Sequence, residues 1–189
     1  TGSTFDAVTS TMQKWRWVPS LRFISTYHDH PHYIKALANS ILKHWDKHGK
    51  PDKILFSYHG IPKKYFTKGD PYHCLCSKTT RLVREEMGLS EEFAMTTFQS
   101  RFGPAEWLQP YTDKTIESLA KDGTDHIHVI SPAFSSDCLE TIEELNEENR
   151  EIFMENGGQK FGYIPCLNDR DDHILLLTSL LENELHGWV

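Results

Sequence analysis

Cysteine is scarce in this sequence: Cys74, Cys76, Cys138 and Cys166 are the only four among 189 residues. With no charged n-region, apolar h-region and cleavage site in view, they read as reduced cytosolic thiols rather than as a disulfide framework. Long apolar runs are missing too. No stretch reaches the roughly 18 apolar residues that a membrane-spanning helix needs, so no such helix is expected. There is no basic excess either. Lysine and arginine number 20 against 27 acidic residues, a net charge of −7. A nucleic-acid partner is therefore disfavoured, because a phosphate-binding surface needs clustered positive charge. Neither a G-x-G-x-x-G nor a Walker loop follows any candidate strand, so nucleotide binding has no signature.

What is present is an ordinary globular composition, 38% apolar and 25% charged, with ten Phe, seven Tyr and five Trp. The length suits one large domain able to bury a core without staples. The chain opens at Thr1 on "TGSTFDAV", which reads as the interior of a longer protein, so a processed or partial chain is expected.

Periodicity divides the sequence. Gly2-Ser3 followed by Phe5, Val8, Met12 and Trp15 predicts a capped helix, and "LRFIST" (21–26) a short strand. Pro31 opens a helix with Ile34, Leu37, Ala38, Ile41, Leu42 and Trp45 on one face, and Gly49 stops it. "KILFSY" (53–58) is the next strand, followed by a helical stretch through Val83 to Met87. "FAMTTFQS" (93–100) is a strand, and 112–123 a helix with Thr112 as N-cap and Gly123 as stop. "HIHVISPAF" (126–134) is a strand, "DCLETIEELNEENREIFMENGG" (137–158) one long helix, "KFGYIP" (160–165) a strand, and Asp171 to Leu185 the last helix. Short strands alternating with amphipathic helices predict an α/β fold: a parallel sheet with helices on both faces, a Rossmann-like lobe.

Such sheets bind ligands at the carboxyl ends of their strands. Those ends carry His59, then Gln99-Ser100-Arg101-Phe102-Gly103, then Ser131 to Asp137 leading into Cys138 and Glu140, and last Pro165 with Asn168. Helical spacing puts Glu140, Glu143, Glu144 and Glu147 on one face, where like charges repel unless well solvated or holding a cation. An imidazole with carboxylates suits a divalent transition metal, and equally suits proton transfer near neutral pH. The residues alone leave a plainer alternative open: a hydrogen-bonded strand-end histidine beside a solvated acidic helix.

Longer stretches carry more. "FSYHGIP", "GDPYHCLCSKTTR", "TFQSRFGPAEWLQPYTD" and "SPAFSSDCLETIEELNEENRE" resemble the ferrochelatase family in its bacterial form, in order and over nearly the whole chain. The resemblance implies a chelatase-like fold of two similar α/β lobes with a porphyrin between them. Residues 1–189 would be the C-terminal lobe with its closing helix, the N-terminal lobe being absent from this chain. It implies insertion of Fe2+, as substrate metal, into protoporphyrin IX with loss of two pyrrole protons, the last step of haem biosynthesis. His59 would be proton acceptor and metal ligand, and Glu140 the carboxylate that handles metal and protons. Glu144 and Glu147 would continue Glu140 as an acidic track. Arg101 would meet a porphyrin propionate or a local acid, while Trp107, Phe102 and Phe134 would form an aromatic wall or part of the core. The cytoplasm is the expected location, any peripheral contact with the inner membrane being made through the other lobe. Some members carry a histidine two residues before the motif glutamate, where this chain has Cys138.

Some ferrochelatases hold a [2Fe–2S] cluster, which needs four ligands. Cys74 and Cys76 lie two apart in "HCLC" but Cys138 and Cys166 sit in other elements, so no cluster is expected. His28, His30 and His32 in "YHDHPHY" alternate, yet read as a histidine-rich surface turn ahead of a metal site. Two other functional readings stay open: a non-catalytic metal- or porphyrin-binding lobe, and a Co2+ or Ni2+ chelatase for another tetrapyrrole. Oligomeric state leaves no trace in the sequence.

Overall fold

The computed structural model describes residues 1–188. In chain order the elements are α1 (Gly2–Met12), α2 (Pro31–His48), β1 (Lys53–His59), α3 (Lys63–Thr67), α4 (Tyr72–Met87), β2 (Ala94–Gln99), α5 (Thr112–Lys121) and β3 (His126–Ile130). A π-helix (Glu140–Glu148), α6 (Asn149–Glu155), β4 (Lys160–Ile164) and α7 (Asp171–Leu185) follow. The strands form one all-parallel sheet in the order β2-β1-β3-β4, as the α/β pattern requires. Helices cover both faces, which is why β1 is buried from Ile54 to Tyr58 and β3 from Ile127 to Ile130.

Alternation along β1 assigns the faces. Ile54, Phe56 and Tyr58 enter the core shared with α2, α4 and Leu176 of α7, whereas Leu55 packs with Ile116, Leu145 and Phe153 from the other layer. Ser57 and His59 continue on the side of Leu55, toward α5 and the π-helix. The topology adds a second constraint. From β1 the chain crosses to β2 on one side, and from β3 it crosses to β4 on the other. The crevice between the carboxyl ends of β1 and β3 is therefore the switch point at which such sheets bind ligands.

Four expectations need correction. Residues 21–26 form no strand, because no sheet edge accepts them. Phe23 packs instead on Phe5 of α1 at 5.3 Å between ring centroids, and the Arg22 guanidinium reaches the backbone carbonyls of Glu184 and His186. Thr112 is the first residue of α5, not its cap; Tyr111 holds that position, and the buried Thr112 hydroxyl bonds Ser57 and Thr97. The helix at the start has no side-chain cap and ends at Met12. The segment 137–158 is not one α-helix: its first part winds as the π-helix.

The π winding follows from which residues are buried. Thr141, Leu145, Asn149 and Phe153 all face inward at strict four-residue intervals. Around an α-helix of 3.6 residues per turn, three such steps drift by about 120°. Wider i→i+5 winding reduces the drift and keeps the stripe on the sheet.

Candidate active site

His59 is the last residue of β1 and is half-buried. Its Nδ1 lies 2.7 Å from the carbonyl oxygen of Gly60. A carbonyl only accepts, so Nδ1 carries the proton and the lone pair is left on Nε2, free for a proton or a metal. The Tyr72 hydroxyl donates to the His59 carbonyl at 2.9 Å, and the Phe134 ring stands 6.3 Å away. Gly60 runs against β2: its amide donates to the Gln99 carbonyl at 2.7 Å. Beyond it the β1 and β2 loops are tied together, Leu108 donating to Ile61 and Lys63 to Glu106.

The end of β2 grips the π-helix. Buried Gln99 accepts from the Ser57 hydroxyl at 2.9 Å and donates to the Glu140 carbonyl at 2.9 Å and to the Glu144 carboxylate at 3.2 Å. Ser100 adopts a left-handed conformation, φ 59°, uncommon for a residue with a side chain. That conformation turns both its amide, at 2.7 Å, and its hydroxyl onto Glu144. The loop after β3 is fixed by Asp137, whose carboxylate accepts from the Tyr163 hydroxyl at 2.5 Å, Asn168 Nδ2 at 2.7 Å and the Cys166 amide at 3.1 Å. Burial pushes the Asp137 carboxyl up, but the hydrogen bonds from Tyr163 and Asn168 outweigh it and hold the group below the ordinary aspartate value.

Glu140 follows that loop and is exposed. Its carboxyl sits below its ordinary value, chiefly through a hydrogen bond from the Cys138 thiol, then its own backbone amide and the field of His59. Cys138 responds in the opposite sense: burial first, then its bond to Glu140, pushes the thiol up.

A cavity of about 560 Å³ opens beside these residues, lined by Gln99, Ser100, Arg101, Phe102, Leu139, Glu140, Glu143, Glu144 and Glu148 among others. Of the expected acidic track, Glu140 and Glu144 line this cavity together with Glu143 and Glu148, while Glu147 lies outside its lining. His59, Trp107 and Phe134 lie outside its lining. Arg101 is at its rim, engaged in a two-pronged pair with Asp113 at 2.7 Å for each prong and stacked 4.4 Å from the Tyr111 ring. Phe102 is 69% exposed and so forms no part of the core. Trp107 is half-buried, edge-on to Phe102 at 6.0 Å, and its indole N–H donates to the Phe102 carbonyl.

Other sequence candidates have local roles. His30 caps α2, its Nδ1 accepting from the His32 amide, and His28 Nδ1 bonds the Thr26 hydroxyl at 2.8 Å. Cys76 and Cys166 are buried and their thiols pushed up to about 12 by burial, while Cys74 is exposed. The sequence does not single out Asp113 or Glu148, and it offers Gln99 and Ser100 only as members of a strand end, with no role. The "FQSR" strand end is the available signal for Gln99 and Ser100.

The ferrochelatase family model matches residues 1–185. The chain belongs to the ferrochelatase family. It is 59% identical, over its whole length, to a ferrochelatase from Hydrogenovibrio crunogenus, of which it covers 50%. It is 57% identical over its whole length to one from Marinobacter nauticus, covering 51% of it, and 55% identical over 96% of its length to ferrochelatase 2 of Shewanella oneidensis, covering 56%. The chain thus spans about half the length of the curated ferrochelatases it matches. Among the described residues no helix is long and apolar enough to cross a membrane.

Proposed function

We propose that this chain is the C-terminal lobe of a ferrochelatase, and that the whole protein inserts Fe2+ into protoporphyrin IX to form haem. In this reading the porphyrin lies between the strand ends of this lobe and a second α/β lobe. The observation that carries it is that His59 ends β1 at the switch point and its charge is felt at Glu140, in a chain of this family. Pyrrole N–H groups are very weak acids, and two protons must leave as the metal enters. Coordination to Fe2+ acidifies them, and a positioned base then contributes about 10²–10⁴-fold. His59 Nε2, with its lone pair held outward by the Nδ1–Gly60 bond, is that base and can also ligate the incoming metal. Glu140, an exposed carboxylate at the cavity, attracts the cation and receives protons, which pass by way of Glu144 and Glu148 to solvent. Arg101, oriented by Asp113, offers a cation to a porphyrin carboxylate; Phe102, Trp107 and Phe134 offer ring faces to the flat ligand. A cytoplasmic location, with peripheral contact to the inner membrane through the other lobe, belongs to the same proposal.

The test is an anaerobic absorption assay of the purified full-length protein with protoporphyrin IX and Fe2+. Conversion of the free-porphyrin spectrum to that of haem is expected. Porphyrin binding without conversion would overturn the enzymatic reading in favour of a binding module. Conversion with Co2+ or Ni2+ but not with Fe2+ would overturn the metal assignment.

A further inference from the structure

Four histidines gather toward the amino end of the sheet, away from the candidate active site. His44 and His48 lie four residues apart on α2, and His126 and His128 share one face of β3. Nε2 of His126 and Nε2 of His128 are 2.9 Å apart. The His44 ring stands edge-on to His128, 4.6 Å between centroids, and 4.4 Å from the His48 ring. Gly162, the partner of His128 across β3 and β4, lets the rings pack directly onto the backbone. A methyl group there would stand 2.7 Å from His128 Nε2 and 3.0 Å from His44 Nε2. Three Nε2 atoms thus converge over a residue with no side chain. His44 Nε2 and His128 Nδ1 are also buried without a hydrogen-bond partner, a cost the fold alone does not explain.

We propose that His44, His126 and His128 bind a divalent transition metal of the Zn2+, Ni2+ and Cu2+ class through Nε2, with His48 or a water as fourth ligand. Imidazole is the preferred ligand type for these ions. With metal–nitrogen bonds of about 2.0–2.1 Å, two imidazoles on one tetrahedral ion stand about 3.3 Å apart, near the 2.9 Å between His126 and His128. Among the described residues no three histidine, cysteine, aspartate or glutamate side chains already surround one metal position. To bind the ion, the three rings turn until their Nε2 atoms surround one position, and the proton between His126 and His128 moves to the other nitrogen of its own ring. Asp52, accepting from the His126 amide at 2.9 Å, favours a cation nearby; Lys160, tied to the His48 carbonyl, and Lys47 oppose it. His128 pairs in register with Ile54 on β1, and His59 lies five residues further along that strand. At about 3.3 Å per residue the two places are about 17 Å apart, so this ion is not the one presented to the porphyrin.

The test uses the full-length protein stripped with EDTA and carrying His59→Ala, so that metal at the candidate active site does not interfere. Calorimetric titration with ZnCl2 is expected to show one ion per chain and a rise in melting temperature. Adding His44→Ala with His126→Ala is expected to weaken binding by roughly tenfold or more and to abolish the melting shift. If circular dichroism shows that this pair fails to fold, the half-buried His126→Leu alone carries the same expectation. Absence of Zn2+ uptake in the His59→Ala protein, or equal uptake in the cluster variants, would overturn the proposal.

Discussion

At Gly60 the absence of a side chain answers to crowding rather than to a left-handed turn. A Cβ there would stand 2.8 Å from the Gln99 carbonyl oxygen and 3.3 Å from Trp107 Cε3. The first is backbone and cannot swing away. Gly60→Ala is expected to destabilise the fold by about 1–3 kcal/mol, the usual cost of overpacking, read as a lower denaturant midpoint at unchanged slope. A change within about 0.5 kcal/mol, as at an ordinary surface position, would contradict this crowding at the strand end. The same contact helps to aim His59, because the Gly60 carbonyl that fixes the imidazole tautomer belongs to the residue pinned against β2. None of this crowding can be read from "YHGIP", in which the glycine and the proline suggest only a bend.

For whole elements, the π-helix brings Glu140, Glu143, Glu144 and Glu148 to the cavity. Full-length Glu148→Gln is expected to raise the KM for Fe2+ several-fold, while Glu147→Gln leaves it unchanged; steady-state kinetics with the reverse order would contradict the π winding. Within the core, Leu145→Ala removes a fully buried side chain and is expected to cost about 2–5 kcal/mol in chemical unfolding. Much of this level is legible in the sequence. α2 and α7 follow from apolar spacing, and the strand carrying His59 from its apolar run and terminal glycine. The π winding is not, because glutamates three and four apart look alike on either helix. Only the inward residues, at four-residue intervals, distinguish the two, and burial is a tertiary fact. "LRFIST" is rich in strand-favouring residues, but composition cannot reveal that no edge awaits it. The grip of Gln99 and Ser100 on Glu144 spans more than forty positions and rests on one left-handed serine.

Across the whole molecule, the two ends of the sheet respond differently to acid. Burial, then neighbouring positive charge, lowers His44 to about 4 and His128 to about 3. The unfolded chain takes up these protons as pH falls through about 6.5, whereas the folded chain resists until about 4 and about 3. The unfolded state then binds more protons, so stability falls as pH drops through that window. Asp113, Asp137 and Asp172 are all held below 3.8, so their contribution fades at lower pH still. Urea midpoints in EDTA are expected to decline between about pH 7 and about pH 5; a flat profile would contradict neutral buried imidazoles. At the carboxyl end the proposed function rests on one pair of groups, His59 and Glu140. The most direct measurement is the Fe2+ insertion rate of full-length protein carrying His59→Ala or Glu140→Gln, with protoporphyrin binding followed in parallel. Loss of roughly 10²–10⁴-fold in rate with the porphyrin still bound is the expected result for His59→Ala, with a clear loss for Glu140→Gln. Near-unchanged insertion by either variant would contradict the account.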